Sequence, residues 1–315
     1  EILIGLVGSE MCIRDRFWLQ KSFMPQLNVR AGMMVVPVGA TNSHHMPTEF
    51  FGVYRPEGEN TIMPCTWHEI GVSIWGRAGD WRYEAMFMPG LDSERFGSQG
   101  WIHDGSASPY EFKIANSYAG AVRIDNYSVK GLRLSLSGYV GNSFRNTMAP
   151  TASEKNDGVK GTVAIGSFDF RYEGHGVLAR GNFDYGHLSD ARHITAFNMG
   201  MSSKSPSKKQ KVASDAIAAG IEAGYDFFSL SPRLRESKQK FYLFARYDYY
   251  DSMLRMDGGD LEYEWCGRQR VAAGINYYPI PQIVVKGEYS IGLLDSKYNR
   301  EPAISLGIAY AGWFL

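Results

Sequence analysis

Polar and apolar residues alternate along most of this chain. In LRLSLSGYV (132–140), Leu132, Leu134, Leu136 and Val140 share one face of an extended backbone, and Arg133, Ser135, Ser137 and Tyr139 share the other. The same period sorts VLARGNFDY (177–185) into Val177, Ala179, Phe183 and Tyr185 against Leu178, Arg180, Asn182 and Asp184. It sorts FYLFARYDYY (241–250) into Phe241, Leu243, Ala245, Tyr247 and Tyr249 against Arg246 and Asp248. Thirteen segments follow this rule: 17–24, 27–36, 69–77, 81–88, 118–125, 132–141, 162–172, 177–188, 216–228, 241–250, 268–278, 283–290 and 304–314. None carries a convincing 3.6-residue period. DAIAAGIEAGYDFF (215–228) begins like a helix, but Gly220, Gly224 and the Tyr-Asp-Phe-Phe run argue for a strand.

The connections between these segments sort by length. Pro25-Gln26, Ala78-Gly79-Asp80, 126–131, 173–176 and 279–282 are short, 229–240 is intermediate, and 37–68, 89–117, 142–161, 189–215, 251–267 and 291–303 are longer. Tight turns at one end and long loops at the other mark an up-and-down barrel in an outer membrane. A soluble sandwich has no reason to sort its loops this way. The expected fold class is therefore all-β, a transmembrane up-and-down antiparallel β-barrel. No run of about eighteen apolar residues exists, which excludes a transmembrane helix. Single-chain bacterial barrels have even strand numbers, so about fourteen to sixteen strands are expected in the intact protein. The last segment, SLGIAYAGWFL, reads as a closing strand with Phe314 at the inner interface, and it resembles the C-terminal signal by which such barrels are recognised.

Composition agrees with strands: 19 tyrosines and 17 phenylalanines favour β structure. A formal net charge of zero supplies no field toward nucleic acid, and no such partner is expected. Cys12, Cys65 and Cys266 are too few for a disulfide scaffold, and whether Cys65 and Cys266 pair is left open. EILIGLVGSEMCIRDR (1–16) has no starting Met, and its apolar run is shorter than a signal-peptide core. It resembles translated adapter read-through. Residues 1–16 are therefore read as a non-native leader, and 17–315 as one barrel domain truncated at its N-terminus.

A charged side chain facing lipid near mid-membrane costs about 2–4 kcal/mol, so the charged face of each strand is the interior. The pore-lining candidates are Arg30, Arg77, Arg82, Arg123, Arg133, Arg180, Arg246, Arg270 and Lys286. Acidic residues share that face, and opposite charges recur two residues apart: Arg82/Glu84, Arg123/Asp125, Asp169/Arg171, Arg246/Asp248 and Lys286/Glu288. Such pairs make a neutral wall ladder the favoured reading. A pore that attracts anions then rests on Arg30, Arg77, Arg133 and Arg270, which lack such a neighbour. Loop 37–68, stiffened by Pro37, Pro47, Pro56 and Pro64, is expected to fold inward, with His44, His45, Arg55, Glu57 and Glu59 at a constriction. Its alternative is an extracellular lid. His44 and His45 are adjacent and point apart, and no histidine adjoins a nucleophile motif. No metal, cofactor or enzymatic activity is expected. Trp67, Trp81, Tyr225, Tyr247, Tyr249, Tyr277 and Phe314 are assigned to interfacial aromatic belts.

LNVRAGMMVVPVG (27–39) and NTIMPCTWHEIGVSIWGRAGDWRYEAMFMPGLD (60–92) resemble the phosphate-selective porin O/P family. The matching positions are Val29, Arg30, Gly32, Pro37, Gly39, Gly71, Val72, Gly76, Tyr83 and Gly90. The loop HHMPTEFFGVYRPEGENT (44–61) resembles porin-like proteins of Bacteroidota. The resemblance implies an integral channel of a Gram-negative outer membrane, trimeric and passing anions. A lysine-rich phosphate funnel has no clear counterpart here, since KSPSKKQK (204–211) lies in a long outer loop. The expected function is passive diffusion of small hydrophilic solutes, anionic or neutral, with phosphate-like ions favoured. The rival reading is a non-channel barrel that anchors extracellular loops for adhesion or structure.

Overall fold

The computed structural model describes residues 2–6, 17–106, 115–147, 156–205, 207–294 and 297–311. They build one antiparallel sheet of 14 strands in sequential order. The strands are β1 (Ile2–Leu6), β2 (Phe17–Met24), β3 (Leu27–Val35), β4 (His68–Ala78), β5 (Trp81–Pro89), β6 (Tyr118–Asn126) and β7 (Leu132–Asn142). Then come β8 (Thr162–Gly174), β9 (Val177–Leu188), β10 (Asp215–Asp226), β11 (Lys240–Arg255), β12 (Gly267–Ile280), β13 (Ile283–Gly292) and β14 (Ala303–Tyr310). The thirteen alternating segments match β2–β14. β1, in the stretch read as a leader, pairs with β2 from Ile2↔Lys21 to Leu6↔Phe17, a place in the sheet that alternation did not assign to it. The expected Phe314 anchor lies outside the described residues.

The short ends are true hairpins. Between β8 and β9, His175 and Gly176 both take left-handed backbone, φ 53° and 78°, the geometry that lets a two-residue turn follow the twist of its strands. The long ends carry structure of their own. Helices α1 (Ala40–Ser43) and α2 (Glu57–Ile62) lie in loop 37–68, and α3 (Ala191–Gly200) lies in loop 189–215. A fourth, α4 (Pro232–Glu236), lies at the opposite, short-turn end, in the β10–β11 connection. In loop 189–215, outside the alternating segments, α3 buries Ala191, Ile194, Thr195 and Asn198. That i, i+3, i+4, i+7 spacing is one helical face.

Alternation fixes which face is which. Ile70, Val72, Ile74, Val122, Ile124, Leu136, Val140 and Leu306 are exposed on the outside, while Glu69, Ser73, Arg123, Asp125, Ser135 and Ser137 on the same strands are buried inside. An apolar exterior around a polar interior is the arrangement of a transmembrane barrel. The sheet curls round loop 37–68, which touches inward positions on strands far apart in order. Gly39 N–H donates to Ser137 Oγ on β7 (3.1 Å), and Lys286 on β13 donates to Phe50 O (2.6 Å). On β14, a methyl added at Gly307 would sit 3.1 Å from Val53.

The interior has two halves. Toward the long loops, the inward residues of β5–β10 are Met86, Met88, Ala119, Ala121, Tyr139, Val163, Ile165, Leu188, Ala216 and Ala218. Loop residues Val36, Val38, Ile62, Trp67, Leu91, Phe96, Trp101, Ile102, Phe144 and Ile194 pack with them in one apolar core. Toward the short turns, the same strands turn charged: Glu84 and Arg82 on β5, Arg123 and Asp125 on β6, Asp169 and Arg171 on β8, Asp184 and Arg180 on β9. Trp67 belongs to the core, 2% exposed with Nε1 donating to Glu69 (3.0 Å). Its assignment to an outer aromatic belt is corrected: position 67 continues the inward parity of Glu69. Trp81 and Tyr247 do face outward and are exposed.

Candidate functional site

The inner half of the lumen is built by wall side chains gripping a loop. Segment 50–54 crosses the charged faces of β10–β13, and the wall binds its backbone atom by atom. Lys286 donates to Phe50 O (2.6 Å) and Gly52 O (2.7 Å), and Asn276 to Phe51 O (3.0 Å). Phe51 N–H donates to Glu222 (3.3 Å) and Val53 N–H to Glu288 (2.9 Å). Arg246 donates to Tyr54 O (3.2 Å). Buried backbone groups need such partners, and a loop inside a barrel has no sheet edge to supply them. Phe51 then stacks on Phe244 with ring centroids 5.2 Å apart. It does so over Gly224, where a Cβ would lie 2.5 Å from the ring. Glycine at 224 gives the aromatic its seat.

Glu59 holds the other end of the loop. It is buried, and its carboxylate accepts from Ala40 N–H and Thr41 N–H, both at 2.8 Å, and from Asn42 N–H at 3.3 Å. These are the open amides of the first turn of α1, satisfied by an acidic cap from a second element. Burial pushes the Glu59 carboxyl up to about 7 despite the pull of the Thr41 and Ala40 amides, and nearby Asp169 adds to the rise.

The pore-lining candidates occupy the inward face but are tied down. Arg82 pairs with Glu84 (2.5 Å) and Asp125 (3.1 Å), and Arg123 with Asp125 (2.8 Å) and Asp169 (2.8 Å). Arg180 pairs with Glu222 (3.4 Å), and Arg246 with Asp248 (2.8 Å). Three of the four arginines expected to stand alone have partners. Arg30 lies between Trp18 and Trp75, 5.5 and 5.0 Å from their rings, with Glu84 at 3.9 Å. Arg133 pairs with Asp169 (2.9 Å), and Arg270 with Glu57 (2.7 Å) and Glu301 (2.9 Å). Those partners sit on other strands or in loops, which spacing within a strand does not show. Arg77 is exposed at the end of β4, with no ion pair among the described residues. Two of the expected i, i+2 pairs are replaced: Asp169 takes Arg123 and Arg133 while Arg171 takes Glu173 (2.7 Å), and Lys286 goes to the loop backbone.

Among the constriction candidates, Glu57 and Glu59 are anchored as above. His44 contacts Arg133 through Nε2 and Glu49 through Nδ1 (3.1 Å). His45 Nδ1 pairs with Asn42 O (2.9 Å). Arg55 turns away from the wall and donates to Cys65 Sγ and Thr66 Oγ1, each at 2.6 Å. Cys65 is exposed and Cys266 buried, and both are free thiols, which closes the question of their pairing. Glu49, Phe51, Asn276 and Gly224 were missed as site residues. Their signal was the loop's own apolar FFGV, which has no reason to stand in water.

Two cavities lie beside the loop among the described residues. One, of about 360 Å³, opens between Thr48, Glu49 and Phe50 of the loop and wall residues Arg171, Arg180, Tyr242 and Tyr278. The other, of about 300 Å³, carries Arg30, Arg77, Arg82, Arg123 and Arg133 against Glu84 and Asp125.

No family model matches the chain. In sequence it is similar to an uncharacterized protein of Aquifex aeolicus (strain VF5), 26% identical over 281 residues. The match covers 86% of this chain and 59% of that protein, so the chain spans less than two thirds of the length of this relative. In structure it is similar to Salmonella typhi OmpF in complex with daunomycin, with TM-score 0.57, 12% identity, and 94% of this chain and 77% of that one covered. It is also similar to the loop L8 deletion mutant of OmpT, an outer membrane protein of Vibrio cholerae, with TM-score 0.52, 12% identity, and 94% and 79% covered. An anion-selective porin from Comamonas acidovorans aligns with TM-score 0.50, 11% identity, and 96% and 74% covered. The fold is that of a porin-like β-barrel.

Proposed function

We propose that the chain forms a porin-type channel of a Gram-negative outer membrane, passing small hydrophilic solutes by passive diffusion with a preference for anions. The observation that carries this reading is the lining of the smaller cavity, where five arginines face two carboxylates. Asp169, behind this lining, pairs with Arg123 and Arg133 and takes up part of that charge, but the five arginines still outnumber the three carboxylates, and an electropositive constriction raises the local concentration of anions. The likeness to an anion-selective porin supports the same direction. Phosphate-like ions and a trimeric assembly belong to this reading on the sequence resemblance alone.

A second reading has one observation in its favour. The apolar core of the outer half resembles a plug, as a barrel that merely anchors surface loops would need. A single experiment separates the two. The protein, folded into a planar bilayer across a salt gradient, is expected to give discrete open steps with a reversal potential on the anion side. Silence from folded protein would reject the channel and favour the anchor.

A further inference from the structure

We propose that the contact between His44 and Arg133 is the partition that sets the size limit of the inner passage, an inference that rests on the channel reading above. Both residues line both cavities, the one of about 360 Å³ on the β8–β12 side and the one of about 300 Å³ on the Arg30 side. What separates the two spaces is a chain of four groups from loop to wall. Glu49 Oε1 meets His44 Nδ1 (3.1 Å), His44 Nε2 meets an Arg133 guanidinium nitrogen, and Arg133 meets Asp169 Oδ1 (2.9 Å).

Elementary chemistry orients this chain. A guanidinium donates and never accepts, so His44 Nε2 presents its lone pair to Arg133 and the ring proton sits on Nδ1, where the Glu49 carboxylate accepts it. Each end is held by its own element. Asp169 is fully buried and also takes Arg123 (2.8 Å), which fixes Arg133 from the wall. Glu49 accepts Met46 N–H through its other oxygen (3.1 Å), which fixes the imidazole from the loop. The partition is thus one imidazole wide, set in a frame that does not depend on it. Shortening His44 joins the two cavities and leaves the wall pairs and the 50–54 anchor in place.

The test uses the full chain folded into liposomes, with swelling rates in arabinose and in the larger raffinose, and folding checked by heat-dependent migration on gels. His44→Ala is expected to raise the raffinose-to-arabinose rate ratio by about 3-fold. His44→Gln, whose amide oxygen still accepts from Arg133, is expected to hold the ratio within about 1.5-fold of the parent. An unchanged ratio in His44→Ala, with arabinose still entering, overturns the partition and leaves the channel standing. So does a rise in His44→Gln as large as that in His44→Ala, because contact would then not matter. Exclusion of arabinose by folded parent protein overturns the channel reading, and the partition falls with it.

Discussion

The outer and inner halves of the lumen are made by the same strands and hold loops by opposite means. On β8, Val163 and Ile165 face inward near the long loops, and Asp169 and Arg171 face inward near the short turns. β10 passes in the same way from Ala216 and Ala218 to Glu222. In the outer half, loops dock because apolar side chains leave water, a non-directional force worth about 25 cal/mol per Å² of buried surface. In the inner half, docking is directional: Lys286, Asn276, Glu222, Glu288 and Arg246 each take a particular backbone atom of segment 50–54. A barrel can therefore pack part of its lumen as an apolar core and line the rest with charge. The switch needs no change in strand geometry, only a change in which residues share the inward parity.

The largest effect is expected from breaking the outer side. Trp101 is 1% exposed, packs against Gly186 on β9, and donates Nε1–H to Ala213 O (3.0 Å). Trp101→Ala leaves a cavity that the surrounding loops cannot fill, with an expected loss of about 3–5 kcal/mol in loop docking. Protease cleavage within 89–106, followed against urea in protein held in vesicles, reads that loss. A cleavage midpoint equal to the parent's would mean that the outer core does not hold the loops. In the inner half, Lys286→Met removes the donor to Phe50 O and Gly52 O, with an expected loss of about 1–3 kcal/mol. Faster amide exchange confined to 50–54 would locate it there.

How much of this contrast was legible in the sequence follows from what alternation encodes. Period two gave β2–β14 and their lipid faces, because the membrane imposes that period residue by residue. It did not give the outer core. TVAIGSF (162–168) is apolar on both faces, which means burial on both sides. Assigning one face to lipid and assuming the other to be polar passed over that signal. Ion-pair partners were legible where they lie on one strand, as in Arg82/Glu84, and illegible where register decides, as in Arg133 with Asp169. Register between β7 and β8 depends on loop length and shear, which no local pattern carries. Contacts between loop and wall, such as Phe51 with Phe244, depend on the sheet curling round the loop, which no local pattern carries.

A smaller effect, and one with a sign, comes from Glu59. Its folded carboxyl titrates at about 7, well above the ordinary glutamate range, because it is buried. Between the unfolded value and about 7, the folded state binds more protons than the unfolded state, so this group lowers stability as pH rises through that window. The full cost is present above it and absent below it. Other carboxylates slope the opposite way, so the quantity to compare is the parent minus Glu59→Gln difference in unfolding midpoint, measured from pH 4 to pH 8. That difference is expected to favour the parent most at the acid end and to shrink as pH rises. A flat difference would show that folding does not raise the proton affinity of this carboxyl.

The smallest effect sharpens the charge side of the comparison. Arg77 faces the smaller cavity at its open end and forms no ion pair among the described residues, whereas Arg123 is locked between Asp125 and Asp169. Removing Arg77 leaves no buried carboxylate unmatched, so Arg77→Gln is expected to change stability by less than about 0.5 kcal/mol. Its charge is nonetheless the one a passing ion meets unscreened by a partner. The reversal potential should therefore move toward the cation side in Arg77→Gln, and the shift should weaken as salt shortens the reach of the charge. A shift that persists at high salt would place the selectivity deeper, on the paired arginines of the wall. An unmoved reversal potential at every salt concentration would mean that ions do not pass the Arg77 end of the cavity, and the route would then run on the β8–β12 side of the loop.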